Sequence, residues 1–284
     1  MKYRHSFHAG NFADVHKHVT LLALLAALRR KDKGFLYFET HSGRGAYDLS
    51  QGGIEAEGGV ARFSATAKNS EELQRYSVLL EEYRAQQGNP RAYPGSPVCA
   101  AHELRSQDRA VLVEIMPAEA RALELAVAGN TRIRVEQGDG FERLKAWLPP
   151  AERRGLTFID PPYEETGRDF ERVGQAIKEA LRRFHTGVVA AWYPIKDERE
   201  ITVWQAGLAR EIECETLVAE LWLYPRDSRV GLNGSGLLIV NPPYLLAERM
   251  RVWLPELQAQ LAHGSPGLDA GKAGGTSIRS LAPA

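Results

Sequence analysis

The chain has 284 residues, 44% of them hydrophobic and 25% charged. That suffices for one large α/β domain or two ordinary ones, and it excludes a disordered, collagen-like or coiled-coil protein. Thirty-six basic residues balance thirty-six acidic ones, so any nucleic-acid site must be a local patch rather than a property of the whole surface.

The first 34 residues are the one lopsided stretch. Lys2, Arg4, Lys17, Arg29, Arg30, Lys31 and Lys33 face only Asp14 and Asp32, and His5, His8, His16 and His18 fall in the same window. Val15, Val19, Leu22 and Leu25 recur at helical spacing, which predicts an amphipathic helix over 12–30, stopped by Gly34. A β-prone run at 35–38 leads into Glu39-Thr40-His41-Ser42-Gly43-Arg44-Gly45. The next strand is more than sixty residues away, too far for an ordinary crossover. Leu73, Tyr76, Leu79 and Tyr83 are spaced as on a helix, so 47–93 reads as an inserted helical subdomain. Tyr93-Pro94-Gly95-Ser96-Pro97 ends it, with Ser96 as a helix N-cap and Pro97 at the first helical position. Strands then alternate with helices: 110–113 before Glu114, helix 117–127, strand 131–135 before Gly138-Asp139-Gly140, helix 141–148, strand 156–159 before Asp160, helix 169–184, strand 187–192 and helix 198–208. This alternation implies right-handed βαβ units and a mostly parallel, Rossmann-like sheet. The strands at 216–224 and 236–240 are joined by too short a link for a crossover, so they pair antiparallel. The principal domain is expected over 1–46 and 94–262. The tail 263–284, rich in Gly, Ala, Ser and Pro, is expected to be disordered.

Four of these strands end in a carboxylate at one rim: Glu39, Glu114, Asp139 and Asp160. In such sheets that rim is the ligand side. Asp160-Pro161-Pro162-Tyr163 is the sharpest motif. The Asp160 carboxylate suits one hydrogen of a planar amino group and the Pro161 carbonyl the other. The prolines stiffen the loop, and Tyr163 offers a face for base stacking. The plainer reading is a proline turn capped by an aspartate. Asn241-Pro242-Pro243-Tyr244 matches the same pattern, but it follows an antiparallel strand and so falls on the opposite rim, where it reads as structural. Gly43 and Gly45 let the backbone approach a ligand. The third glycine of a phosphate fingerprint is missing, so no diphosphate is demanded. Glu39 and Glu114 suit a ligand with a positive charge and ribose hydroxyls, which S-adenosyl-L-methionine carries. Glu114 is placed for the ribose, and Asp139 with Gly140 for the adenine. Singly, each carboxylate reads equally well as a helix cap or a solvated turn residue.

No metal site is expected. His16 and His18 lie about 200° apart on a helix and cannot chelate one ion, and two cysteines do not complete a tetrahedral set. Neither Cys99 nor Cys214 stands where a nucleophile would. No apolar leader follows Met1, and the longest greasy run, 19–28, is too short for a bilayer. A cytoplasmic protein with no membrane attachment is expected, and a monomer, since no extended apolar edge is evident.

Tyr3-Arg4-His5-Ser6-Phe7-His8-Ala9-Gly10-Asn11, Asp14-Val15 with Lys17-His18, Phe35-Leu36-Tyr37, Thr40-His41-Ser42-Gly43, Tyr93-Pro94-Gly95-Ser96-Pro97, Asp139-Gly140-Phe141, Ile159-Asp160-Pro161-Pro162-Tyr163, Trp192-Tyr193-Pro194 and Asn241-Pro242-Pro243 together span nearly the whole chain. In these segments the sequence resembles the RlmJ family, bacterial methyltransferases that place one methyl on an adenine amino group of 23S ribosomal RNA. The resemblance implies a class I S-adenosylmethionine-dependent sheet with a helical insertion, acting on naked or partly assembled RNA without an obligate protein partner. It implies donor contacts from His18, His41, Ser96, Glu114, Asp139 and Gly140, with Asp160 catalytic and Tyr3 touching RNA. The basic N-terminal residues, Arg4 and Lys17 among them, would attract phosphate. Arg44 and the longer Gly-rich tail depart from the family pattern. A DNA adenine methyltransferase would share the amino chemistry but normally carries a separate target-reading domain. A non-catalytic RNA-binding assembly factor on the same scaffold would bind the donor weakly. An NAD-dependent oxidoreductase would need the missing dinucleotide fingerprint and leaves Asp160–Tyr163 unexplained.

Overall fold

Asn11 opens the first helix by accepting the Asp14 amide on its side chain at 2.9 Å, and α1 (Phe12–Arg29) follows. A computed structural model describes residues 9–51, 55–64, 70–164, 166–226, 231–262 and 274–281. The helix is buried on every side from Phe12 to Leu25, not on one stripe as its spacing suggested, because the sheet covers its inner face and other helices cover the rest. It ends at Arg29, with Arg30 as a helical C-cap, so Gly34 does not stop it. Gly34 is required for a close approach instead: a Cβ there would stand 2.2 Å from the Gln107 carbonyl oxygen.

After β1 (Leu36–Glu39), the chain leaves the main sheet through β2 (Ala46–Asp48), two short 3-10 turns and α2 (Glu71–Gln87), and returns by β3 (Ala92–Pro94), which pairs antiparallel with β2. Then come α3 (Ser96–Glu103), β4 (Arg109–Glu114), α4 (Pro117–Ala126), β5 (Ile133–Gln137), α5 (Gly140–Trp147), β6 (Gly155–Ile159), α6 (Thr166–Arg183), β7 (Val188–Ile195), α7 (Glu198–Glu211), β8 (Thr216–Trp222), β9 (Gly234–Val240), α8 (Leu246–Ala262) and β10 (Gly275–Ser280). The eight-stranded sheet runs β10-β8-β9-β7-β6-β1-β4-β5. From β7 to β5 all neighbours are parallel, whereas β9 runs against both β7 and β8. This is the expected mostly parallel, Rossmann-like class I sheet with a reversed C-terminal strand.

Alternation along the strands builds two cores. Phe35, Tyr37, Leu112 and Phe158 point to the side covered by α1, α2, α3, α4 and α8. Leu36, Phe38, Val113 and Ile159 point to the side covered by α5, α6 and α7. Leu73, Tyr76, Leu79 and Leu80 of α2 belong to the first of these cores.

Two expectations are corrected. Ser96 does not cap α3: Gly95 is the N-cap, and Ser96 is the first helical residue. Part of the tail is ordered, since Gly275–Ser280 pairs antiparallel with β8 and the Leu281 amide donates to the Thr216 carbonyl at 2.8 Å. Backbone pairing along an open strand edge does not depend on apolar side chains, so the polar composition was a poor guide. Residues 263–273 and 282–284, like Tyr3 and Arg4, lie outside the described residues.

Candidate active site

The chain steps from β1 outward to β4 and β5, then returns to lay β6 on the other flank of β1. That reversal opens a crevice at the carboxyl ends of β1 and β6. A cleft of about 760 Å³ lies there, within the usual range for a small-molecule site. His41, Ser42 and Gly43 follow β1 into it, Glu114 ends β4, Asp160 and Pro161 follow β6, and Ser96 stands at the start of α3. Asn11, Asp14, Lys17 and His18 reach it from the first turns of α1. A smaller cavity of about 300 Å³ shares His41, Ile115, Pro161 and Pro162 and continues to Asp139 and Gly140. Every expected donor contact thus borders one of two adjoining spaces.

Glu114 is held by its surroundings. The amides of Gly43 and Met116 each donate to one of its oxygens at 2.8 Å, leaving further acceptor capacity on each oxygen. Burial raises its pKa in spite of those two bonds. Gly43 has φ +60, and a Cβ there would lie 2.8 Å from the Tyr47 hydroxyl. Gly140 lies tighter still, because a Cβ would fall 1.8 Å from the Thr40 carbonyl oxygen. Asp139 caps α5 by accepting the Phe141 amide at 2.8 Å and pairs with Arg172 at 3.0 Å. The His41 ring meets Phe141 edge-on at 4.7 Å, and its Nδ1 lies 2.8 Å from Thr40 Oγ1. Burial pushes its pKa down to about 4, which keeps it neutral. His18 is buried with Nδ1 3.0 Å from the Tyr93 hydroxyl. Ser42 Oγ, buried and bordering the cleft, has no hydrogen-bond partner among the described residues.

Three expectations change. Lys17 does not present a free cation to phosphate. It is buried, with Nζ 2.5 Å from Asp160 Oδ2, 2.9 Å from Asp14 Oδ1 and 5.3 Å from the centre of the Trp192 ring. Burial works to lower its pKa, but the two carboxylates prevail and hold it above the ordinary lysine value. Tyr163 is only 2% exposed; its hydroxyl donates to the Trp192 carbonyl at 2.7 Å, and its ring packs on Phe170 and Trp192. It offers no face to a base, having turned inward at a left-handed φ of +51. Glu39 does not face the ligand. It is fully buried and accepts the Ser96 hydroxyl at 2.5 Å. Burial drives its pKa up to about 8, outweighing that bond, so it carries no charge at neutral pH.

Sequence reasoning gave no role to Asp14 or Trp192, both of which line the cleft. Asp14 was within reach, since it stands one turn before Lys17 and His18 on one helix. The look-alike Asn241 lies on the far rim, as expected. Its side-chain amide donates to the carbonyls of His185 and Gly187 at 2.7 and 2.9 Å. Arg44, which departs from the family pattern, forms a two-bond ion pair with Glu119 at 2.8 Å beside the cleft. His16 is a core residue rather than a ligand, its Nδ1 3.0 Å from Ser235 Oγ and its pKa pushed down to about 3 by burial.

A class I sheet with an Asp-Pro-Pro loop at its switch point, and a carboxylate ending the neighbouring strand, is that of an S-adenosyl-L-methionine-dependent methyltransferase. The buried Ser42 hydroxyl, without a partner among the described residues, and the unfilled lone pairs of Glu114 fit that donor. The chain belongs to the family described as "Ribosomal RNA large subunit methyltransferase D, RlmJ", whose model matches residues 32–270. It is 39% identical to "Ribosomal RNA large subunit methyltransferase J" of Escherichia coli, over 94% of this chain and 96% of that one. The Haemophilus influenzae protein of the same description is also 39% identical, over 92% and 94%. A crystal structure of protein LPL1258 from Legionella pneumophila aligns with a TM-score of 0.86 at 36% identity, covering 96% of this chain and 98% of that one. Methylation of ribosomal RNA from S-adenosylmethionine is the activity of this family. Among the described residues, no helix is long and apolar enough to cross a membrane.

Proposed function

We propose that this protein methylates the exocyclic N6 amino group of one adenine in 23S ribosomal RNA, naked or partly assembled, in the cytoplasm. The observation that carries the reading is the place of Asp160 and Pro161 at the mouth of the donor cleft, directly after the buried strand β6.

The target adenine leaves its stack and enters the cleft, at a cost of a few kcal/mol that is least in an unpaired loop. The Asp160 carboxylate accepts one amino hydrogen and the Pro161 carbonyl the other, which draws the nitrogen lone pair out of conjugation and aims it along one line. Lys17, fixed between Asp14 and Asp160, holds the Asp160 side chain in that orientation. Trp192 supplies the aromatic wall that Tyr163 was expected to give. Glu114 positions the ribose, with His18, His41 and Ser96 around the rest of the donor. S-adenosyl-L-methionine supplies an electrophilic sulfonium methyl. With the donor bound, formation of the N–C bond would break the bond between methyl and sulfur, leaving a neutral thioether, and the amino nitrogen releases one proton, to Asp160 or to cleft water. Rate comes mainly from positioning and field. Tyr3 contacts the RNA on the family resemblance, and Arg4 attracts its phosphates as part of the basic N-terminal stretch.

Asp160→Ala should lower methyl transfer by about 10³-fold or more while donor affinity changes only a few-fold. Tritium incorporation into purified 23S RNA, beside calorimetric donor titration, measures both. Normal transfer by the variant would overturn the reading. Equal incorporation into duplex DNA would move the substrate from RNA to DNA.

A further inference from the structure

The basic N-terminal window is divided by α1. Its early part borders the cleft, but Arg30 lies thirteen residues beyond Lys17, about 20 Å along the helix axis. The turn after the helix therefore stands at the amino ends of β1 and β6, on the rim opposite the cleft. There Arg30, Lys31, Lys33 and Arg153 are all exposed, and none of them forms an ion pair among the described residues. Asp32 is the only carboxylate within the turn itself.

The turn is fastened from beneath. The Arg105 guanidinium donates to the carbonyls of Arg29 at 3.1 Å, Lys31 at 2.9 Å and Lys33 at 3.5 Å. Arg154 donates to the Leu28 carbonyl at 2.7 Å and to that of Lys33. The backbone's acceptors are thus consumed inward while the four cations point out. Arg153 joins them from a left-handed turn with φ +53, a conformation uncommon for residues other than glycine. A favourable interaction with the helix dipole accounts for Arg30 at the C-terminus of α1. It accounts for neither Lys33 nor Arg153. A preformed set of four cations, opposed within the turn by Asp32 alone, on a chain of zero net charge fits a polyanion, and the fixed turn lowers the ordering cost of meeting one.

We propose that Arg30, Lys31, Lys33 and Arg153 form a second phosphate-binding surface, which grips the backbone of an RNA arm flanking the target while the cleft holds the base. This rests on the RNA reading above and adds a substrate-size requirement to it. The test replaces all four residues by glutamine and compares two substrates, a minimal stem-loop carrying the target and a long 23S fragment. On the long fragment the variant should show KM raised about tenfold at unchanged kcat, and the salt dependence of binding should fall by about one log–log unit per cation removed. On the stem-loop it should match the wild type. An unchanged KM and salt slope on the long fragment would overturn the proposal, as would an equal loss on both substrates, which would reduce the surface to general attraction. If the wild-type protein methylates neither RNA, the RNA reading itself fails, a result separate from any effect of the four residues.

Discussion

Two carboxylates share the Lys17 ammonium, so the loss of either leaves the other to neutralise a buried cation. Asp160→Ala should therefore be a catalytic lesion more than a folding one, unlike the removal of a sole partner from a buried charge. Glu39 sets the opposite case. Its folded pKa of about 8 stands well above the carboxylate value of 4.5. The folded state thus keeps a proton that the unfolded state releases, and stability is full below the unfolded value and declines as pH rises toward 8. Glu39→Gln keeps an oxygen for the Ser96 hydroxyl and removes the titration. Chemical unfolding should find the variant more stable than the wild type by a few kcal/mol at pH 8 and by under about 1 kcal/mol at pH 5. Equal pH slopes for the two proteins would show that Glu39 titrates normally. His16 and His41 act at the other end. Their lowered pKa values, about 3 and about 4, mean that stability present above pH 6.5 is lost as pH falls from there toward those values, because the unfolded chain takes up protons that the folded rings refuse.

Among the elements, α1 does two jobs. Its first turns supply Asp14, Lys17 and His18 to the cleft, and its last turn delivers the basic turn to the far rim. The edge strand β10 covers β8, whose residues Thr216–Trp222 would otherwise present unpaired backbone. The Arg279 side chain, bonded to Gln205, ties that strand to α7. A chain ended after residue 262 should melt several degrees lower and self-associate at lower concentration, as read by calorimetry and sedimentation. Unchanged melting would show that β10 adds nothing to the sheet.

At the scale of the molecule, the cleft is assembled from parts far apart in the chain: the start of α1, the ends of β1, β4 and β6, the start of α3 and Trp192 of β7. A ligand that fits all of them binds only the folded state. The demethylated donor product, at about 100 times its Kd, should stabilise the protein by about 2.7 kcal/mol, and a thermal melt should rise by roughly 5–10 °C. No rise would remove the donor from this cleft.

The alternation of strands and helices, the reversal of β9 and the rim on which Asp160 falls could all be read from the sequence, because side-chain periodicity and connection length obey local rules. The Asp-Pro-Pro motif and the family likeness were legible for the same reason: they are short segments whose meaning does not depend on distant partners. Which polar groups face the ligand was not legible. Glu39 and Glu114 end neighbouring strands in the same way, yet Ser96, brought in by α3, seals the first while two backbone amides present the second. Tyr163, expected to face the ligand, turned inward through one left-handed turn and one bond to the Trp192 carbonyl, and Trp192, given no role, came to line the cleft. The fate of each charge depends on what packs over it, and that is decided by residues distant in the chain, 57 positions away for Glu39 and 143 for Lys17.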